Sequence, residues 1–132
     1  MTIEKVDLLP LTLIDDDELS HVIFKAIMRN HYRHIPVNTY LRPLEVVDMI
    51  TSNTFRASVI ILDINMPVMT GWDFLRQLQA LNVQLPVFML SSSDDPRDIK
   101  RASEFSNVVR YFVKPLRIQD LDVIVKTARN SP

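Results

Sequence analysis

Apolar residues gather along this chain in short runs, separated by longer stretches where they recur every three or four positions. Four runs stand out: Leu11–Ile14, Val59–Leu62, residues 87–90 and Val108–Val113. The first three are almost uniformly apolar rather than alternating, the pattern of strands buried on both faces of a parallel sheet. A fifth run, residues 37–41, carries polar residues inside it and reads as an edge strand.

Between the runs the spacing turns helical. Leu19, Ile23, Ala26 and Ile27 share one stripe, with Asp17 ahead of them as N-cap. Leu44, Val47 and Ile50 follow Pro43, which suits a first helical turn. Phe74, Leu75 and Leu78 follow Gly71, and Pro96 opens a more polar helix through Ile99, Ala102 and Glu104, capped by Asp95. Ile118, Leu121, Val125 and Ala128 form the last stripe. Val123 and Ile124 fall off it and are expected at the surface. Strands alternating with helices of this length predict right-handed crossovers and a doubly wound, five-stranded parallel sheet. The strand order expected is 2-1-3-4-5, in a flavodoxin-like, three-layer α/β/α arrangement. Such sheets bind ligands beyond the carboxyl ends of the strands, here between strands 1 and 3.

Composition narrows the picture. With 132 residues there is room for one domain, expected to span 1–132, and 47% hydrophobic residues suffice for its core. A net charge of −1 argues against a nucleic-acid surface, which needs clustered Lys and Arg. The absence of Cys excludes disulfides and thiolate metal sites and fits a reducing compartment. Residues 8–14 are too short, and too interrupted, for a secretory signal, and no apolar run approaches the roughly 20 residues that span a bilayer. A cytoplasmic protein is expected. Gly71 is the only glycine, so neither a P-loop nor a GxGxxG turn is available to close backbone amides on phosphate. Phosphate chemistry here must use side chains and a metal.

The strand ends supply both. Asp15 and Asp16 follow the first strand, Asp63 the third, Ser91 the fourth and Lys114 the fifth. They are far apart in sequence, and the fold gathers them on one rim. Three carboxylates so placed repel one another unless a cation intervenes. Hard oxygen donors suit Mg²⁺, with Asp15 and Asp16 facing the metal. Asp63 is then a nucleophile able to form an aspartyl phosphate, Lys114 a second positive charge, and Ser91 a hydrogen-bond donor to a phosphoryl oxygen.

Together, Asp15-Asp16, Asp63-Ile64-Asn65-Met66-Pro67 with Gly71, Leu85-Pro86-Val87 leading to Ser91-Ser92, and Lys114-Pro115 resemble the receiver domain of two-component response regulators. The resemblance covers roughly residues 9–129, and all five motifs occur in order. It implies that Asp63 takes a phosphoryl group from a histidine kinase or a histidine phosphotransfer protein. It also implies that Asp15, Asp16, Asp63 and the Asn65 backbone carbonyl hold Mg²⁺. Ser91, with Ser92 beside it, and Lys114 would meet the phosphoryl group, and Tyr111 would turn inward. That movement would switch the face of the fourth helix, fifth strand and fifth helix for a downstream partner or a homodimer. The Lys114–Pro115 bond is expected to be cis. The chain departs from the family's frequent Gly-Ala pair before the fifth strand, reading Glu104-Phe105-Ser106-Asn107-Val108, where Asn107 can tolerate a left-handed turn. No output domain is expected, and the sequence resembles stand-alone receivers, which act on themselves rather than turning over a substrate.

Each motif also has a plainer reading. Asp17 and Glu18 are best explained as helix N-terminal acids. Ser91-Ser92-Ser93 reads first as a polar loop, Tyr111 as partly buried packing, and Trp72 and Phe74 as core. His31 and His34 lack further zinc ligands and read as a solvated helix end. Three competing functions remain: a constitutive binding module, a hydrolase with an aspartate nucleophile, and a flavin protein. Against the hydrolase stand Asn65, where a second Asp belongs, and the lack of length for a cap domain.

Overall fold

The computed structural model describes residues 8–130. Its elements alternate strictly: β1 (Leu11–Ile14), α1 (Glu18–His31), β2 (Val37–Tyr40), α2 (Pro43–Thr51), β3 (Val59–Leu62), α3 (Gly71–Ala80), β4 (Val87–Ser91), α4 (Pro96–Ser103), β5 (Val108–Val113) and α5 (Ile118–Asn130). All strand pairs are parallel and the order is β2-β1-β3-β4-β5, as the hydrophobic pattern predicts. The outermost residues of the expected 1–132 unit, 1–7 and 131–132, lie outside the described residues. Among the described residues no helix is long and apolar enough to cross a membrane.

The uniform strands are apolar on both sides because each side meets a helical layer. Leu11, Leu13, Val59, Ile61, Phe88 and Leu90 pack with Phe24 and Met28 of α1 and Leu121 and Val125 of α5. Their neighbours Ile14, Ile60, Leu62, Val87 and Met89 pack on the other face with Val46 of α2, Phe74, Leu75 and Leu78 of α3 and Ala102 of α4. Removing any of these large side chains from water stabilises the fold by about 1.5–3 kcal/mol. Trp72 and Phe74 are core residues, and Trp72 also stacks on Phe105 and lies under the Arg101 guanidinium.

Local signals set the helix starts. Asp17 and Asp95 accept hydrogen bonds from the amides of Leu19 and Arg97. Thr70 and Asp73 form a reciprocal capping box on α3, and Pro43 opens α2. With a single glycine in the chain, Asn53 and Asn82 supply the left-handed residues after α2 and α3 (φ 61° and 57°).

Three helix faces differ from the spacing-based reading. In α1 the buried residues are Ser20, His21, Phe24 and Met28, whereas Leu19 is exposed. The run from Val22 to Met28 is so rich in apolar residues that it fits two phases, and the larger Phe24 and Met28 face inward. In α2 Val46 is buried and Leu44 exposed. In α5 Ile124 is fully buried and Val123 partly so, because α5 rests on the sheet with a face wide enough for adjacent residues. Asn107 does not adopt the left-handed conformation. It ties β4 to β5 instead, through its amide to the Leu85 carbonyl (3.3 Å) and its own carbonyl to the Val87 amide (2.9 Å). The β4–β5 register shifts between Val87 and Phe88, where Val109 has no partner opposite.

Candidate functional site

The sheet ladder continues one residue past β1 and β3 and thereby fixes the backbone of two acids. The Asp15 amide donates to the Tyr40 carbonyl (3.1 Å), and the Asp63 amide to the Ile14 carbonyl (3.0 Å). Both side chains are buried, while Asp16 is exposed at the rim. Carboxylate oxygens of Asp15, Asp16 and Asp63 lie within 4.8 Å of one another. Lys114, just beyond β5, is held by its amide on the Ser91 carbonyl (2.8 Å) and followed by a cis bond to Pro115. Its Nζ reaches Asp15 Oδ2 at 2.9 Å and Asp63 Oδ1 at 3.7 Å. The sequence reading assembles these four residues, and here they meet.

Their charges are unbalanced. Burial, then the neighbouring Asp15 carboxylate, raises the Asp63 pKa to about 7, against the opposing pull of Lys114. Burial disfavours the Lys114 ammonium, yet the adjacent Asp15 carboxylate, with Asp63, outweighs it and raises its pKa. Three carboxylates thus converge where one ammonium pairs with only two of them, Asp15 and Asp63. Asp15 Oδ2, though beside that ammonium, is buried and receives no hydrogen bond of good geometry. A hard divalent cation fits this donor set, as it supplies the missing charge to oxygen ligands at the exposed rim. The Asn65 carbonyl faces no hydrogen-bond donor among the described residues and is available as a fourth oxygen.

Gly71 is needed here for close approach. Its amide donates to the Ile64 carbonyl (2.7 Å), and a Cβ would stand 2.5 Å from the Asp63 carbonyl oxygen. The start of α3 therefore lies directly against the segment that carries Asp63.

On the far side of the rim, Ser91 is buried and its Oγ accepts the Ser93 amide (3.1 Å), leaving its proton for another acceptor. Ser92 is exposed, with no side-chain hydrogen bond among the described residues. Tyr111 is half-buried against the α2–α3–α4 layer, and its hydroxyl donates to the Ser93 carbonyl (2.8 Å). Ser93, which reads from sequence as plain loop, also donates to Asp98 Oδ2 of α4 (2.7 Å). One loop residue thus joins the end of β4, the ring of β5 and the first turn of α4.

His21 is the other residue that sequence reasoning passes over. It is buried, and its Nε2 lies 2.7 Å from the Asp15 carbonyl, an acceptor, so this nitrogen carries the proton. Asp15 is consequently gripped at its carbonyl by His21, at Oδ1 by the Asp17 amide (2.9 Å) and at Oδ2 by Lys114. The available signal was a polar residue one turn after the Asp17 cap, on the phase that α1 buries. His31 and His34 are exposed, with His34 beside Arg129 (3.3 Å), as expected of a solvated helix end.

Comparison with known proteins agrees with this geometry. Residues 11–126 match the response regulator receiver domain family. The rice two-component response regulator ORR12 is 31% identical over 120 residues, covering 88% of this chain and 95% of that protein. The Arabidopsis thaliana two-component response regulator ARR12 is 28% identical over 123 residues, 90% of this chain. This chain spans only about a fifth of ARR12's length. A two-component response regulator from Cytophaga hutchinsonii superposes with a TM-score of 0.81 at 26% identity, covering 96% of this chain and all of the other.

Proposed function

Since the chain belongs to the response regulator receiver family of two-component signalling proteins, we propose that Asp63 is its phosphoacceptor and that the whole chain works as one receiver unit. Receivers of this family are phosphorylated by histidine kinases or phosphotransfer proteins, so the donor is a phosphohistidine. Asp63 Oδ attacks the phosphorus, the P–N bond breaks, and the imidazole leaves with the electron pair. The observation that carries this reading is the pairing of Lys114 Nζ with both Asp15 and Asp63, at 2.9 and 3.7 Å, on the rim where three carboxylates converge.

Asp15, Asp16, Asp63 and the Asn65 carbonyl would hold Mg²⁺. When bound, that ion offsets the negative charge of the carboxylates and of the phosphoryl oxygens. Lys114, ion-paired with Asp15, moves its ammonium toward the phosphoryl oxygen as charge accumulates there. Ser91 turns its free proton to a second oxygen, and Ser92 provides a further hydroxyl at the mouth. Because Ser93 joins the Ser91 hydroxyl to Tyr111 and α4, movement of Ser91 reaches the outer surface directly. That surface bears exposed Ile99, Val109 and Val113, which supports docking of a downstream protein, or a second copy, on α4, β5 and α5. A signalling switch of this kind acts in the cytoplasm.

Acetyl phosphate and Mg²⁺ should add the mass of one phosphoryl group to the intact protein, and none to Asp63→Asn. Equal labelling of the variant would remove Asp63 from this role.

A further inference from the structure

The end of the molecule away from the acids has its own chemistry. Residues 22–37 contain no Asp or Glu, but do contain Lys25, Arg29 and Arg33. Lys25 and Arg29 lie one turn apart on α1, and Arg33 follows at the same interval just past the helix end. All three are exposed and line one groove of about 270 Å³. Among the described residues none of them is ion-paired with a carboxylate. Asp122, which reaches this end from α5, accepts its hydrogen bond from the Tyr32 hydroxyl. Attraction to the helix C-terminus does not explain the set. That effect fades within the last turn, whereas Lys25 lies further back and Arg33 beyond the helix.

Met28, Ile35 and Val37 supply the apolar part of the lining and form the groove's floor toward the core. Val37 opens β2, the outermost strand of the sheet. The amides of Leu11 and Asp15 bond the carbonyls of Pro36 and Tyr40, so the even-numbered residues of β2 turn toward β1. The backbone groups of Val37 and Thr39 therefore face the edge of β2 that pairs with no strand among the described residues.

We infer that this groove docks an extended acidic segment of a partner protein, which adds to the edge of β2 and sets its carboxylates against Lys25, Arg29 and Arg33. The dimensions match. Alternate side chains of an extended strand lie about 7 Å apart. From Lys25 to Arg29 the helical rise is about 6 Å, and Arg33 continues the row past the helix end. The methylene stems of the acidic side chains would lie along the Met28–Ile35–Val37 lining on the same face. A nucleic acid would use the cations but neither the floor nor the strand edge, and the chain's net charge of −1 disfavours it. Running 14 residues, α1 carries the groove about 20 Å from the acidic rim. The inference consequently stands apart from phosphorylation, and Asp63→Asn should bind the same ligand equally well.

The test is fluorescence anisotropy on the whole chain with a labelled peptide of alternating Glu and Ile flanked by Ser. Comparison probes are the Gln-for-Glu peptide, the same peptide with N-methylated backbone amides, and a single-stranded oligonucleotide. Binding should weaken about tenfold for the Gln peptide, and as much for Lys25→Glu, Arg29→Glu and Arg33→Glu combined. N-methylation should also weaken it, because a strand so modified cannot pair with β2. Binding that ignores all three changes would overturn the inference. So would no binding at millimolar peptide, or an oligonucleotide that binds more tightly and loses affinity in the triple variant.

Discussion

Two ends of this molecule handle charge in opposite ways. At the carboxyl ends of the strands, Asp15 and Asp63 are buried together, and one ammonium serves both. At the far end of α1, Lys25, Arg29 and Arg33 stand in water with no carboxylate partner among the described residues. Exposed charges cost the fold little, since solvent screens them, and they act only on what approaches. Buried like charges cost stability in the free protein, and that cost is relieved when a cation arrives. The difference separates a place for chemistry from a place for docking.

Loss of the shared ammonium should break the contrast most severely. Lys114→Met leaves the buried acids without a counter-charge and should lower unfolding free energy at pH 8 by about 3 kcal/mol in urea titrations. No change would mean that the pairing is incidental.

Next in size is a pH effect with a definite sign. The folded-state pKa of Asp63 stands at about 7, above its ordinary value of 3.8, so the folded protein holds this proton more tightly than the unfolded chain. Its contribution is fully present below about pH 4 and is lost as pH rises to 7. In the absence of divalent ions, Asp63→Asn should be more stable than the parent at pH 8 by about 2 kcal/mol, with the gap closing by pH 4. Thermal melts across that range measure it, and a gap independent of pH would contradict the account.

A smaller effect tests buried polarity that has no chemical role. Thr12 sits in β1, three residues before Asp15, with its hydroxyl buried and unpartnered among the described residues. Thr12→Val should stabilise by about 1 kcal/mol and leave phosphorylation unchanged. Smallest of all, Arg97→Ala removes an ion pair to Asp95 that is exposed to solvent, and no shift in the denaturation midpoint is expected.

The strands were legible because burial on both faces leaves no room for polar residues, so Val59–Leu62 admits one interpretation. Charged residues placed directly after such runs made Asp15, Asp63 and Lys114 legible too. The helix phases were harder. Where six of seven residues from Val22 to Met28 are apolar, spacing cannot choose the inner face, and size decides for Phe24 and Met28. With the wrong phase nothing singled out His21, and its grip on the Asp15 carbonyl depends on a contact that sequence does not encode locally. Ser93 was lost for a similar reason. Its partners are Tyr111 and Asp98, brought to it by the β4–β5 pairing and the turn into α4.

The decisive measurement is the address of the phosphoryl group. Protein treated with acetyl phosphate and Mg²⁺ can be reduced with borohydride, which converts an aspartyl phosphate to homoserine, and then sequenced by mass spectrometry. The account predicts homoserine at position 63 alone. Homoserine at Asp15 or Asp16, or at no position, would contradict it.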